Sequence, residues 1–237
     1  MTDPLVSNFV DRALAQLKRR GLRVFSKDLP APMRDPSVPP LGDWIGWKAV
    51  PSSVTDADLD ALEVETGLPY PPLYRDFLKY RHFVDLTEIG FYFERHLEDE
   101  WRKMLRSSYF DAYYPERILG RGLLPFGSET LIDAGHVCFD TRHRRDDGDC
   151  PVVYWDHEWV GDEKEIGAMF SSCAGMFRCL TFATDIDFIF LHHFDDDPPE
   201  LLPRKQSVLR QFLDLDPEGA GGPARDYWTA WGVCPGD

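Results

Sequence analysis

The sequence predicts a single domain in which helices flank a sheet built on one hairpin. Residues 135–159 read as two strands joined by a polar loop, and a capped amphipathic helix and a proline-started helix precede them. With 43% hydrophobic residues, a chain of 237 residues can bury a sizeable core.

In the first arm of the hairpin Val137, Phe139 and Thr141 fall on one face; in the second, Val153 and Trp155 share a face and Val152 and Tyr154 take the other. Most are β-branched or aromatic, as half-buried strands prefer. Between the arms R-H-R-R-D-D-G-D is too polar to bury and ends in the turn signals Asp-Gly-Asp and Cys-Pro, so the loop is expected to project into solvent.

Residues 7–20 place Phe9, Val10, Ala13, Leu14 and Leu17 at helical spacing, with a basic end and a stop at Gly21. Five prolines between residues 29 and 40 forbid regular structure and predict a strap, pinned by Trp44 and Trp47. A second helix opens at Thr55, with Asp58 at the reciprocal position of a capping box, buries Leu59, Leu62 and Val64, and ends near Gly67. Pro71 and Pro72 start a third, with a stripe of Leu73, Tyr74, Phe77 and Leu78.

Residues 83–93 read as extended, 94–105 as helical, and 107–114 as either a helix end or an aromatic loop. Residues 123–127 form a short strand before the hairpin. Beyond it, Ile166, Met169, Phe170, Cys173 and Phe177 predict a helix over 163–177 packed on the sheet. Residues 180–194 suit a buried helix or a strand and are read as helix. An acidic turn at 195–199, a short helix at 208–213, a loose Gly/Pro segment and a docked aromatic tail of Tyr227, Trp228 and Trp231 complete the chain.

Five cysteines (Cys138, Cys150, Cys173, Cys179 and Cys234) without C-x-x-C spacing predict buried reduced thiols. No run of 18 apolar residues occurs, and the first residues lack the pattern of a signal peptide, so a soluble cytoplasmic protein is expected. The net charge of -15 disfavours nucleic acid and favours a basic protein partner. No cofactor is expected, and H-E-x-x-H, G-x-S-x-G and phosphate-loop motifs are missing. His136, Asp140, His143, Asp156 and His157 near the hairpin, and His192-His193 with Asp195 to Asp197, lack the spacing of a known metal or acid/base site, and Asp140 and Asp156 suit turn amides better.

The order of pieces, namely Leu68-Pro69, Leu73-Tyr74, Phe77-Leu78, Leu124-Pro125-Phe126-Gly127, Phe139-Asp140-Thr141-Arg142, Pro151 to His157, and Ile166 with Phe170, resembles the SMI1/KNR4 family, also called the SUKH superfamily. The resemblance spans about 54–180. It departs from the pattern at 94–119, where a longer insertion stands. It implies an α+β fold with a mixed, mainly antiparallel sheet and flanking helices. The expected division is a helix and strap over 1–50, the family domain over 51–194, and a C-terminal extension over 195–237 packed on it.

The resemblance implies a binding role: a bacterial immunity protein of a polymorphic toxin system that neutralises a cognate protein toxin, such as a nuclease. A scaffold of the same fold and a metal-dependent hydrolase are the alternatives. A monomer or weak homodimer that contacts no membrane is expected. The residues expected to meet the toxin are Asp146, Asp147 and Asp149 in the hairpin loop and Glu158, Trp159, Asp162 and Glu163 in the next loop, an aromatic anchor with an acidic steering rim. A Trp159 folded back on the sheet is the competing expectation.

Overall fold

The computed structural model describes residues 2–89, 91–110, 115–130, 134–185 and 202–230. Helix α1 (Pro4–Arg19) is capped by the Asp3 side chain, which accepts the Leu5 amide, and Gly21 follows it with φ +69°. Strand β1 (Val24–Ser26) pairs with β2 (Trp44–Gly46), and the proline-rich strap between them is held by the Lys48 amide on the Met33 carbonyl and by the Asp35 amide on Gly46. Trp47 is fully buried and pins the strap, but Trp44 does not: it is 52% exposed. Trp44 and Leu41 exchange backbone hydrogen bonds across the Gly42-Asp43 turn and stand at its exposed tip.

After β3 (Val50–Pro51), α2 (Asp56–Thr66) carries the expected capping box: Thr55 Oγ1 accepts from the Asp58 amide at 3.2 Å and Asp58 Oδ2 from the Thr55 amide at 3.0 Å. Leu59 and Leu62 are buried, but Val64 is 84% exposed. It stands about 140° around the helix from Leu59. Helix α3 (Pro72–Tyr80) buries Tyr74, Phe77 and Leu78 and runs into β4 (Arg81–His82), which pairs with β3. Next come β5 (Thr87–Glu88), β6 (Phe91–Phe93), α4 (Trp101–Phe110) and α5 (Pro115–Ile118). The helix expected over 94–105 therefore starts at Trp101, because His96 is tied to Phe83 by reciprocal backbone hydrogen bonds.

Strands β7 (Leu123–Glu129), β8 (Gly135–Asp140), β9 (Val152–Asp156) and β10 (Ile166–Phe170) precede α6 (Cys173–Asp185), α7 (Leu202–Leu215) and α8 (Arg225–Ala230). Six strands form one sheet in the order β10-β9-β8-β7-β6-β5, with every described pairing antiparallel, so the architecture is α+β. The helix expected over 163–177 is corrected: a 3-10 turn and β10 occupy its first half. A bulge between Ala168 and Phe170 buries Met169 and Phe170 in succession, which imitates helical spacing. Helix α6 bears out the helical reading of 180–185; residues 186–194, the acidic turn at 195–199, His192, His193, Trp231 and Cys234 lie outside the described residues.

Both faces of the sheet are covered. Leu124, Phe126, Val137, Phe139 and Val152 meet α1, α3 and α6 in the main core, where Phe126 stacks on Phe139 at 4.1 Å and Phe9 and Phe77 both approach Phe177. Burying each such ring contributes about 1.5–3 kcal/mol relative to exposure. On the second face Leu123, Cys138, Val153 and Trp155 pack beneath Ile118 of α5. The C-terminal segment docks through Trp228, whose indole N–H donates to the Met169 carbonyl at 2.8 Å, and through Asp216, which accepts from the Ser171 amide and hydroxyl and the Ala220 amide. A Cβ on Gly219 would collide with Ser171 N and Asp216, so glycine permits that approach. Among the described residues no helix is long and apolar enough to cross a membrane.

Candidate binding surface

The ladder separates the expected partner-binding residues into two groups. Phe139 pairs with Val152 at one end of the β8/β9 hairpin and Gly135 with Asp156 at the other. The loop holding Asp146 and Asp147 leaves the first end; the turn holding Glu158, Trp159 and Asp162 leaves the second. At about 3.3 Å per residue, the five residues of β9 keep these groups roughly 17 Å apart. They do not form one patch.

In the first loop Asp146 and Asp147 are exposed, as expected, yet Asp147 pairs with Arg145 at 3.3 Å and accepts the Asp149 amide. Asp149 is corrected: it is buried, because its carboxylate accepts the amides of Cys150 and Cys173 through Oδ1 and of Ala174 through Oδ2. It caps the amide end of α6, where partial positive charge favours an anion. Asp140, also buried, takes the Arg142 guanidinium at 2.7 and 2.8 Å and His143 Nδ1 at 2.9 Å. Those bonds hold its carboxyl below the ordinary range despite burial that pushes the other way. The ladder also parts the hairpin histidines, with His143 at one end and His136 and His157 at the other.

The second turn is the better-formed surface. Trp159 is 45% exposed, with Lys164 Nζ 4.7 Å from its ring centre, so it does not fold back on the sheet. Around it Asp156 accepts the Glu158 amide, Asp162 accepts the Lys164 amide, and the Asp162 amide donates to the Trp159 carbonyl. Glu158 and Asp162 are exposed, and Glu163 opens the 3-10 turn.

The residue that organises this turn is Glu165, which stands outside the residues the sequence offered for the surface. Only 2% exposed, it accepts the Trp155 indole N–H through Oε1 and the Arg121 guanidinium and Gly161 amide through Oε2. Burial raises its pKa and these bonds outweigh it, so the carboxyl is held low. Gly161, at φ +89°, supplies the left-handed bend of the turn.

The insertion also builds a cleft of about 490 Å³ between α4 and β8, lined by Glu100, Lys103, Met104, Ser107 and Ser108 of the helix and by Glu94 and His136. Sequence reading flagged the insertion and His136 but did not join them, because the residues meet only when α4 packs on the sheet. Elsewhere the ionisable groups serve the core. Cys138, Cys150, Cys173 and Cys179 are buried and unpaired, with burial raising each thiol, Cys150 to about 12. Among the described residues no group of three or more His, Cys, Asp or Glu side chains is placed to hold a metal ion.

Set against known proteins, residues 53–178 match the model of the SMI1 / KNR4 family (SUKH-1), just over half of the chain. No curated protein matches.

Proposed function

Because this chain belongs to the SMI1/KNR4 (SUKH-1) family, we propose that it is an immunity-type protein that captures and neutralises a cognate toxic enzyme, a nuclease or another basic catalyst, without catalysis of its own. The observation that carries this reading is Trp159, a large exposed aromatic on a turn whose amides are already satisfied by Asp156, Asp162 and Glu165. A pre-ordered turn loses little freedom on binding, and tryptophan in such a setting has the character of an interface anchor. Glu158 and Asp162 beside it, on a molecule of net charge -15, would speed encounter with a cationic partner.

The reading is tested with any toxin-like enzyme found encoded beside this chain, and finding none would favour the scaffold role. Saturating wild-type protein is expected to abolish its activity, and Trp159→Ala to speed dissociation about tenfold with little change in association. Glu158→Lys with Asp162→Lys should slow association and flatten its salt dependence. Undiminished toxin activity at saturation would favour the scaffold role, and unaltered kinetics in both variants would move the surface away from this turn.

A further inference from the structure

Helix α2 carries its charges beside its solvent face rather than on it. At about 100° per residue, Ala57, Ala61 and Val64 stand within about 60° of one another on the side opposite Leu59 and Leu62. All three are exposed, Val64 at 84%. A surface helix normally turns its charged residues to that side. In α2 the carboxylates lie on the two flanks, and each meets a cation of a neighbouring helix. On one flank Arg75 of α3 pairs with Asp56, Asp60 and Glu63 at 3.2, 2.7 and 2.9 Å, and Lys79 with Asp56 at 2.8 Å. On the other, Arg102 and Arg106 of α4 pair with Asp58 and Glu65 at 3.7 and 2.7 Å.

The result is an uncharged apolar ridge between two rows of ion pairs, on a chain of net charge -15. That balance selects the occupant. A strongly cationic partner meets no row of uncompensated carboxylates here, and a strongly acidic one no row of uncompensated cations. A surface of the same kind, with both signs in alternation, is matched by its own two-fold image. We infer that the α2 face is a self-docking surface, through which two copies of this chain form a two-fold dimer.

The register of the helix fits such a dimer. A two-fold axis near Ala61 sets the two α2 helices antiparallel, with Val64 of each over Ala57 of the other and the two Ala61 side chains meeting at the axis; alanines there let the helices approach closely. Asp58 and Glu65 lie on the same flank at nearly equal distances from that axis, so each falls beside the other's image. Arg106 then faces Asp58 of the second copy, and Arg102 faces its Glu65. Both guanidiniums are open to that contact, with side chains 48% and 43% exposed. Elsewhere the net charge makes copies repel, and the exposed Glu158 and Asp162 give the Trp159 turn no such match.

The dimer is tested on the full chain, with no toxin present, by sedimentation velocity from micromolar to near-millimolar concentration. Wild-type protein is expected to pass reversibly from monomer to dimer as concentration rises. Ala61→Glu, which sets two carboxylates together at the axis, should weaken self-association at least about tenfold. Exchanging one ion pair, Glu65→Arg with Arg106→Glu, keeps the pair within the chain but turns like charges towards Asp58 and Arg102 of the second copy. It should weaken the dimer about tenfold while the urea unfolding midpoint stays that of the wild type. Trp159→Ala should leave self-association unchanged. A wild-type chain that stays monomeric at the highest concentration overturns the inference. A dimer that survives both α2 variants, or that is lost in Trp159→Ala, overturns it too, by placing the contact elsewhere.

Discussion

The indole N–H of Trp155 donates to Glu165 Oε1 at 2.8 Å, so a strand residue in the second core fixes the carboxylate that organises the Trp159 turn. Glu165→Ala would leave the Trp155 indole and the Gly161 amide without their acceptor. We expect a loss of about 2–3 kcal/mol in urea unfolding, because buried donors stripped of a charged partner are costly. Glu165→Gln, which keeps an acceptor for Trp155, should lose about half as much, and an equal loss in both variants would show that the charge alone matters.

One loop supplies a paired test of burial against exposure. Asp149→Ala removes the acceptor of the Cys150 amide and of two amides at the start of α6 and should cost about 2–3 kcal/mol. Asp146→Lys, three residues away and exposed, should change stability by less than about 0.5 kcal/mol. Comparable unfolding midpoints for the two variants would contradict the capping role.

His82 and His96 give the protein an acid limit. Their rings lie 4.7 Å apart; the Ser53 amide donates to His82 Nε2, so the His82 proton sits on Nδ1 facing the His96 carbonyl, and His96 Nδ1 donates to the Arg81 carbonyl. Burial lowers both pKa values, with the neighbouring His82 adding to the fall of His96 to about 3. The unfolded chain takes up protons first, so stability present above about pH 6.5 is lost as pH falls, and for His96 the loss continues towards pH 3 at up to about 1.4 kcal/mol per pH unit. The His96 Cε1–H resonance should stay that of a neutral ring from pH 8 to 4.5; a midpoint near 6 would overturn this.

Glu88 has the opposite pH signature. Burial raises its carboxyl to about 8, with Arg20 opposing the shift. The penalty therefore begins as pH rises above the unfolded value near 4.5 and grows until about 8. Glu88→Gln should be nearly neutral at pH 4 and stabilise by about 2 kcal/mol at pH 8. A stability difference independent of pH would refute it.

Features written in local chemistry were legible in the sequence, and features made by distant contacts were not. Thr55 with Asp58, Gly67 and Pro72 set helix ends by themselves, and the alternation of Val137 with Phe139 placed a strand face. Asp149 looked like loop charge because its amide partners Cys173 and Ala174 lie 24 and 25 residues further on. The segment around Met169 was misread because a single bulge gives a strand the spacing of a helix. At the candidate surface an exposed Trp159 was one of the two placements the sequence allowed, whereas Glu165 and the α4/β8 cleft depend on residues that only packing brings together.

The docking of Trp228 also governs how the molecule behaves towards copies of itself. At one margin of the sheet β5 has only two residues, too short to template another chain. At the other margin β10 has five residues, and there the Met169 carbonyl is taken by the Trp228 indole while Asp216 holds the Ser171 amide just beyond the strand. The C-terminal segment thus acts as a guard against strand-to-strand polymerisation. Cutting the chain after Leu215 would uncover apolar Met169 and Phe170 beside unpaired backbone groups, turning a covered edge into a nucleus for aggregation.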